Sequence, residues 1–300
     1  MTTPPAPAAP PAPATTPAAP PAPPPPAAAP PGRYQLAAQL RLLGVRPGQR
    51  LLVHAALGGT GLRAGTLRDA LLGVLGPRGT LVVPAFTAEN SLTSTAHLAR
   101  VAGLDEAGAA AFRARMEPFD PALTPSQGVG VFAEVVRTTP GAARSGHPQT
   151  SFAALGADAH RLCAGHRTES HLGEDSPLGK LCWEGGQVLM INVGFSACTA
   201  FHLAEYRIPK PPLRMYDCVV KVNLPGGSEG RHEGRGGRSD AGEWKKYEDV
   251  ALDDGDFEEI GRAFPDSLVR GGRVGGASAL FFSIPHAVDH AQAWMTENRR

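Results

Sequence analysis

Residues 187–193, with the sequence QVLMINV, are the stretch that decides the fold. The run is apolar from Val188 to Ile191, and such runs are typical of a parallel strand that is covered on both faces. Gly194 ends the strand, and the sequence FHLAE at positions 201–205 predicts a following helix, with Ser196 or Thr199 as its cap. A strand, a glycine turn and a helix place polar side chains at the carboxyl end of a sheet strand, where open α/β sheets bind ligands.

The predicted helix carries the strongest chemical signal in the sequence. His202 and Glu205 are three residues apart, so they share one helix face. A carboxylate that holds an imidazole fixes its tautomer and stabilises the imidazolium, which lets the pair accept a proton near neutral pH. Surface helices also carry such pairs without function, and ten histidines make one chance pair unsurprising.

Cys198 offers a different chemistry at the same place. It lies four residues before His202, and the pattern predicts that both belong to one helix, which would allow a Cys/His/Glu nucleophilic triad. A free cysteine is also a common small buried hydrophobe. The four cysteines have no CxxC spacing, so we expect reduced thiols and neither a disulfide framework nor a metal site.

The residues upstream predict one βαβ unit over positions 49–84. Strand-like runs at 51–53 and 80–84 flank an amphipathic helix at 66–75, and a crossover of this kind brings the two strands together in parallel. Small residues follow the first strand, from His54 to Gly61. They let backbone N–H groups approach a ligand, although plain tight loops show the same pattern.

The pattern changes after residue 205. Strands are predicted at 218–222 and 244–250, as an antiparallel pair, and the Gly/Arg-rich segment at about 225–242 predicts a mobile loop between them. The whole sequence therefore predicts an α/β fold, in which helices flank a central, mostly parallel sheet and a smaller antiparallel portion lies towards the C terminus.

Loop residues supply further candidate site groups. The carboxylates of Glu89, Glu174 and Asp175, with Glu205, would form a negatively charged cleft that attracts polycations. Ordinary solvated loop acids, or a cap for the helix that starts near residue 177, explain the same residues. The polar loop ARSGHP at 143–148, with Arg144, Ser145 and His147, is a candidate for holding a phosphate or a pantetheine-like chain.

Composition limits the class of protein. The formal net charge of the 300 residues is +1, which gives no support for a nucleic-acid or polybasic membrane site. Residues 1–32 are rich in Pro and Ala and predict a disordered tail rather than a signal peptide, followed by a single domain at 33–300. No run of 18 apolar residues occurs, so we expect a cytoplasmic protein.

Taken in order, the motifs resemble those of the aminoglycoside 3-N-acetyltransferases, particularly of the high-GC actinobacterial type. The resemblance covers about residues 34–297. The residues that carry it are LLVHAAL at 51–57, GPRGTLVVP at 76–84, FTAENS at 86–91, PFDP at 118–121, RSGHP at 144–148, GEDSPL at 173–178 and TAFHLAEY at 199–206. The sequence departs from the family at Ala55 and Ala56, where members often carry Ser.

The resemblance implies an acetyltransferase fold distinct from the GNAT fold, with acetyl-CoA as donor and the 3-amino group of a 2-deoxystreptamine ring as acceptor. It implies that His202 is the catalytic base. Glu205 would orient the imidazole, and transfer would be direct. We expect aminoglycoside and coenzyme A as partners, a monomer or homodimer, and no metal. The expected contacts on the CoA side are His54, Ala55, Ala56, Leu57, Arg144 and Ser145. The expected acceptor contacts are Glu89, Asn90, Glu174 and Asp175.

Three alternatives stay open at this point. An acetyltransferase of the same fold would act on another amine, for example in antibiotic or phosphonate biosynthesis. A binding protein would hold CoA or an aminoglycoside without turnover. A hydrolase that uses Cys198 would release acetate without an amine acceptor.

Overall fold

The computed structural model describes residues 30–221 and 242–299. Residues 1–29 of the predicted tail and residues 225–241 of the predicted loop lie outside the described residues. Within the described ranges, the helices are α1 Arg33–Leu43, α2 Ala64–Leu75, α3 Thr95–Val101, α4 Glu106–Ala114, α5 Gly130–Arg137, α6 Ala159–Cys163, α7 Pro177–Trp183, α8 Phe201–Arg207, α9 Phe257–Ala263 and α10 Ile284–Asn298. The strands are β1 Arg50–Ala55, β2 Thr80–Pro84, β3 Ala143–Arg144, β4 Phe152–Gly156, β5 Gln187–Ile191, β6 Leu213–Lys221, β7 Gly242–Val250, β8 Val269–Val274 and β9 Ala277–Ser283.

Seven strands form the central sheet in the order β3-β4-β2-β1-β5-β9-β8. Strand β1 pairs in parallel with β2 and β5, while β4 and β9 run against their neighbours, so parallel pairing is confined to the three central strands. Strands β6 and β7 form a separate antiparallel pair. The α/β class, the sheet flanked by helices and the small antiparallel portion are confirmed, and so is the βαβ unit formed by β1, α2 and β2.

The central strands are buried on both faces. Leu51 and Val53 of β1 join one apolar cluster with residues of α1, α2 and α5, whereas Leu52 joins a second cluster with residues of α6, α7, α8 and α10. Alternate side chains of a strand point to opposite faces, so the sheet is the middle of three layers. This arrangement explains the unbroken apolar runs in β1 and β5.

Two elements differ from the sequence pattern. Residues 95–114, where the sequence pattern indicates one helical region, form the two helices α3 and α4, because Asp105 caps a new helix by accepting a hydrogen bond from Gly108 N at 2.7 Å. Strand β8, with the sequence VRGGRV, was not predicted, since its two glycines weaken the strand signal. None of the described helices is long and apolar enough to cross a membrane.

Candidate active site

A cavity of about 400 Å³ opens at the carboxyl ends of β1 and β2. His54 and Ala55 of β1 line it, together with Ala56 directly after the strand. His202 on α8 contributes to the same cavity. The cavity therefore places His202, the predicted base, beside the loop that follows β1. This is the edge of the sheet at which open α/β sheets bind ligands.

Two unusual backbone conformations shape the cavity rim. Gly130 has a φ of +81°, and a Cβ there would lie 3.2 Å from the carbonyl oxygen of Ala55, so glycine lets α5 approach β1. Asn192 has a φ of +55°, a region that Asn tolerates better than most residues. Its Nδ2 donates to Ala56 O at 2.8 Å, while Ala56 N donates to Ile191 O at 3.1 Å. The N–H of Ala56 is therefore engaged and is not free to stabilise an oxyanion.

The predicted pair on α8 is formed. His202 Nδ1 lies 2.7 Å from Glu205 Oε2, and the imidazole packs on Phe257 with 4.6 Å between ring centroids. A carboxylate can only accept, so Nδ1 carries the hydrogen and Nε2 keeps its lone pair. His202 is partly exposed, at 14% of its side chain, and Glu205 is buried at 1%. This geometry suits an imidazole that receives a proton at Nε2.

The second carboxylate oxygen of Glu205 accepts two further hydrogen bonds. Glu205 Oε1 accepts from Asp253 N at 2.8 Å and from Arg299 Nη1 at 2.6 Å. A buried carboxylate is costly unless hydrogen bonds and an opposite charge compensate it. These contacts hold the carboxylate in one orientation, and that orientation fixes the His202 ring.

Helix α8 is also anchored by a buried polar cluster. Tyr206 donates to Asp249 Oδ2 at 2.8 Å, and the same oxygen lies 2.7 Å from both the backbone N and the Nδ1 of His171. The rings of His147 and His166 pack nearby, tilted by 34° to each other, with centroids 4.9 Å apart. His171 and Asp249 lie 78 residues apart in the chain, so no local sequence pattern indicates this pair.

His54 is a second histidine in the cavity lining. Burial lowers the pKa of its imidazole to about 4, and the neighbouring His202 adds to this effect. No described group is bonded to the buried Nε2. The ring is therefore neutral at physiological pH and can donate one hydrogen bond to a bound molecule. Leu57, the other residue predicted in this loop, packs in the core and does not line the cavity.

Cys198 does not belong to the helix of His202. A short 3₁₀ turn, Phe195–Ala197, precedes it and α8 begins only at Phe201, so the predicted helical spacing between Cys198 and His202 is wrong. Its side chain is fully buried, and burial raises the pKa of the thiol to about 12. A thiol in this environment is a poor nucleophile, because the thiolate is the reactive form. The expected caps are also absent from the described helix: neither Ser196 nor Thr199 caps α8.

Arg144 and Ser145 are not part of the cavity lining. Arg144 donates to the backbone carbonyls of Thr124 and Ala85 and to Ser151 Oγ, and burial lowers the pKa of its guanidinium to about 10. Ser145 is fully buried and bonds His166 Nδ1 at 2.9 Å. These groups hold loops together, so their geometry gives no support to a role in CoA binding.

The predicted acidic and amide residues are dispersed. Glu174 bonds Arg207 Nε at 2.7 Å in a separate surface groove, and the exposed Asp175 lies 3.8 Å from Arg167. None of these carboxylates lines the cavity. Glu89 also lies outside the lining residues, 3.8 Å from Arg100, and Asn90 is buried with no described partner for its Oδ1.

The cavity contains a carboxylate that the sequence analysis missed. Asp254 lines it, is exposed, and has no hydrogen-bonded or charged partner among the described side chains. The acidic run Asp253-Asp254-Gly255-Asp256, directly before a helix, was the available signal. Phe86, Gly128 and Phe257 also line the cavity and carried no such signal. Among the described residues, no group of three His, Cys, Asp or Glu side chains has an arrangement that could hold a metal ion.

Comparison with known proteins identifies the family of the chain. A family model described as aminoglycoside 3-N-acetyltransferase matches residues 52–296. The SPbeta prophage-derived aminoglycoside N(3')-acetyltransferase-like protein YokD of Bacillus subtilis (strain 168) is 32% identical over 271 residues, covering 89% of this chain and 93% of YokD. Aminoglycoside N(3)-acetyltransferase VII of Streptomyces paromomycinus is 32% identical over 283 residues, covering 88% of this chain and 91% of that protein.

Solved structures give the same result. The crystal structure of YokD has a TM-score of 0.79 at 30% identity and covers 90% of this chain and 95% of its own. The binary complex of AAC-IIIb with CoASH has a TM-score of 0.72 at 30% identity, covering 89% and 96%. AAC-VIa bound to sisomicin has a TM-score of 0.72 at 27% identity, covering 89% and 98%. The chain, as its motifs predict, belongs to the aminoglycoside 3-N-acetyltransferase family.

Proposed function

We propose that this protein transfers the acetyl group of acetyl-CoA directly to the 3-amino group of 2-deoxystreptamine aminoglycosides, with His202 as general base. The observation that carries the proposal is the His202–Glu205 pair at 2.7 Å in a cavity at the carboxyl ends of the central strands. Relatives solved with CoASH and with sisomicin support the two substrates. Such transfer would give resistance to the antibiotic.

The chemistry follows from the state of the imidazole. The acceptor amine is an ammonium ion at neutral pH, and it becomes a nucleophile only after losing a proton. His202 Nε2 accepts that proton, and the buried Glu205 carboxylate stabilises the resulting imidazolium. The amine nitrogen then bonds the acetyl carbon and, as the tetrahedral adduct collapses, loses its second proton to solvent. The C–S bond breaks, and His202 passes the first proton to the sulfur to give free CoA thiol.

His54 is our candidate for stabilising the tetrahedral oxyanion. Its imidazole is neutral and lines the cavity beside His202, and its Nε2 has no hydrogen-bond partner among the described residues. Donors that are fixed in a low-dielectric site before the reaction stabilise developing charge strongly. The nearby backbone N–H of Ala56 is bonded to Ile191 O and is not available for this role.

Asp254 is our candidate for binding an ammonium group of the acceptor. Its exposed carboxylate lines the cavity, where the dispersed Glu89, Glu174 and Asp175 do not. Acetylation removes one positive charge from the acceptor, so the product would bind this carboxylate more weakly and leave.

The test is His202→Ala, with His160→Ala as the matched control because His160 is an exposed histidine on α6. Thiol release from acetyl-CoA would be measured with gentamicin, kanamycin, tobramycin, neomycin or paromomycin, and the product mapped by mass spectrometry and NMR. We expect a single acetyl group on the 3-amino nitrogen and a loss of about 10²–10⁴ in kcat for His202→Ala. Near-wild-type kcat would remove His202 from the mechanism.

A second candidate is an acetyltransferase of the same fold that acts on another amine. The dispersal of the predicted acidic residues favours it, because only Asp254 supplies a carboxylate to the described cavity lining. The same assay separates the candidates. Thiol release with a simpler amine, but with none of the aminoglycosides, would support the second one.

A further inference from the structure

We infer that Arg299, the penultimate residue of the chain, is a positioning residue for the general base. This inference rests on the proposed function of His202. Arg299 Nη1 lies 2.6 Å from Glu205 Oε1, and Glu205 holds the imidazole through its other oxygen. The arginine thus acts on the reacting atom through one intervening carboxylate.

The guanidinium is held in a fixed orientation. Its Nε and Nη2 each lie 2.6 Å from an oxygen of Asp256, and Nη2 also donates to Asp253 O at 2.6 Å. A bidentate arginine–carboxylate pair of this kind is geometrically specific and stronger than a single ionic contact. Arg299 is partly covered, with 21% of its side chain exposed. A lysine at this position would keep the positive charge but could not make the bidentate contact with Asp256.

These contacts join the base to one wall of the cavity. The segment that Arg299 holds, residues 253–256, contains Asp254 and leads directly into Phe257. Both of these residues line the cavity, and the Phe257 ring packs on His202 at 4.6 Å. Asp253 N also donates to Glu205 Oε1. One guanidinium therefore fixes the carboxylate and the loop that together confine the imidazole.

The charge of Arg299 also offsets negative charge near the base. Glu205 on α8 contacts His202, Asp254 lines the same cavity, and Arg299 contacts Glu205 and Asp256 and the backbone of Asp253. The other titratable groups near His202 are His54 and His171, whose pKa values are lowered chiefly by burial and in small part by His202. Removing the arginine charge would leave the negative charge of these carboxylates uncompensated beside the base, which should move the acidic limb of the activity profile to higher pH.

The experiment compares Arg299→Met and Arg299→Lys in the full-length chain, with Arg262→Met as control because Arg262 is an exposed arginine on α9. For Arg299→Met, the acidic limb of the kcat/KM profile should move up by roughly half to one pH unit. Its kcat should fall about 10-fold, with KM for acetyl-CoA unchanged. Arg299→Lys should keep the position of the limb and lose part of kcat. The acceptor amine titrates identically in every variant, so differences between variants report on the enzyme.

Two outcomes would overturn the inference. One is an Arg299→Met profile that coincides with wild type. The other is a lower kcat that accompanies a lower Tm with no movement of the limb, because that result indicates only a structural role. Combining Arg299→Met with Glu205→Gln should lower kcat little beyond Glu205→Gln alone, since the arginine positions His202 through the carboxylate. Substantial turnover by His202→Ala would instead defeat the proposed function, and the two failures are thereby distinguished.

Discussion

Replacing Glu205 by glutamine should lower kcat far more than the loss of one negative charge would by itself. Glu205 Oε1 already accepts from Asp253 N and Arg299 Nη1, at 2.8 and 2.6 Å. Both partners are donors, so the glutamine carbonyl must take this position and its NH₂ must face His202. The amide then presents a donor to Nδ1, where the carboxylate accepted a hydrogen bond at 2.7 Å.

The imidazole can satisfy that donor only by carrying its hydrogen on Nε2 instead. In this tautomer Nε2 cannot accept the proton of the acceptor ammonium. We expect kcat to fall by about 10³–10⁴, equivalent to roughly 4–5.5 kcal/mol of transition-state stabilisation. The loss should persist at high pH, because raising the pH removes protons but does not restore the tautomer.

The assay is thiol release from acetyl-CoA with a saturating aminoglycoside, measured across the pH range. Glu184→Gln is the control, since Glu184 pairs with Arg161 and Arg50 near the amino end of β5, away from the cavity. A Glu205→Gln enzyme with kcat within about 3-fold of wild type would refute the tautomer reasoning, and so would recovery at high pH.

Three further results are expected. Cys198→Ala should keep most of kcat, because the thiol is fully buried; an acetylated Cys198 peptide in the wild type would contradict this. Asp254→Asn should raise KM for cationic acceptors by about 3- to 10-fold and leave kcat little changed, with a smaller effect at high salt; Asp266→Asn is the exposed control, and an equal effect there would remove the role of Asp254. The free energy of unfolding should decrease as the pH falls from about 6.5 to 4, by up to about 3 kcal/mol for each of His54 and His166. Burial lowers the pKa of both imidazoles to about 4, so the unfolded chain binds more protons in this range. Unfolding free energies from denaturant titration that do not change over this range would show that these rings titrate normally.

Local pattern was enough for the features that depend on neighbours in sequence. The apolar runs of β1 and β5 indicate strands that are buried on both faces, and the three-residue spacing of His202 and Glu205 indicates a shared helix face. Both conclusions hold in the structure. The fold class and the chemical pair of the site were therefore readable from short windows of sequence.

The rest of the site depends on contacts between distant residues. Arg299 reaches Glu205 across 94 positions, and Asp249 reaches His171 across 78, so no window of sequence contains either pair. Arg144 illustrates a different limit, because its local sequence suggested a contact that the tertiary fold does not favour. Its loop looked exposed and ready to bind an anion, but the tertiary fold directs the guanidinium onto backbone carbonyls. Polarity in a sequence does not show whether a charged group faces a ligand or its own chain.

The order of strands in the sheet has a consequence for synthesis of the protein. Strand β5 is paired on one side by β1 and on the other by β9, which the ribosome adds much later. Until residue 277 has emerged, the edge of β5 has no native partner, and an unpaired edge of an apolar strand invites pairing between chains. The nascent polypeptide is therefore at greatest risk of aggregation between the emergence of β5 and the emergence of β9. Its C-terminal segment, rather than its centre, ends that risk.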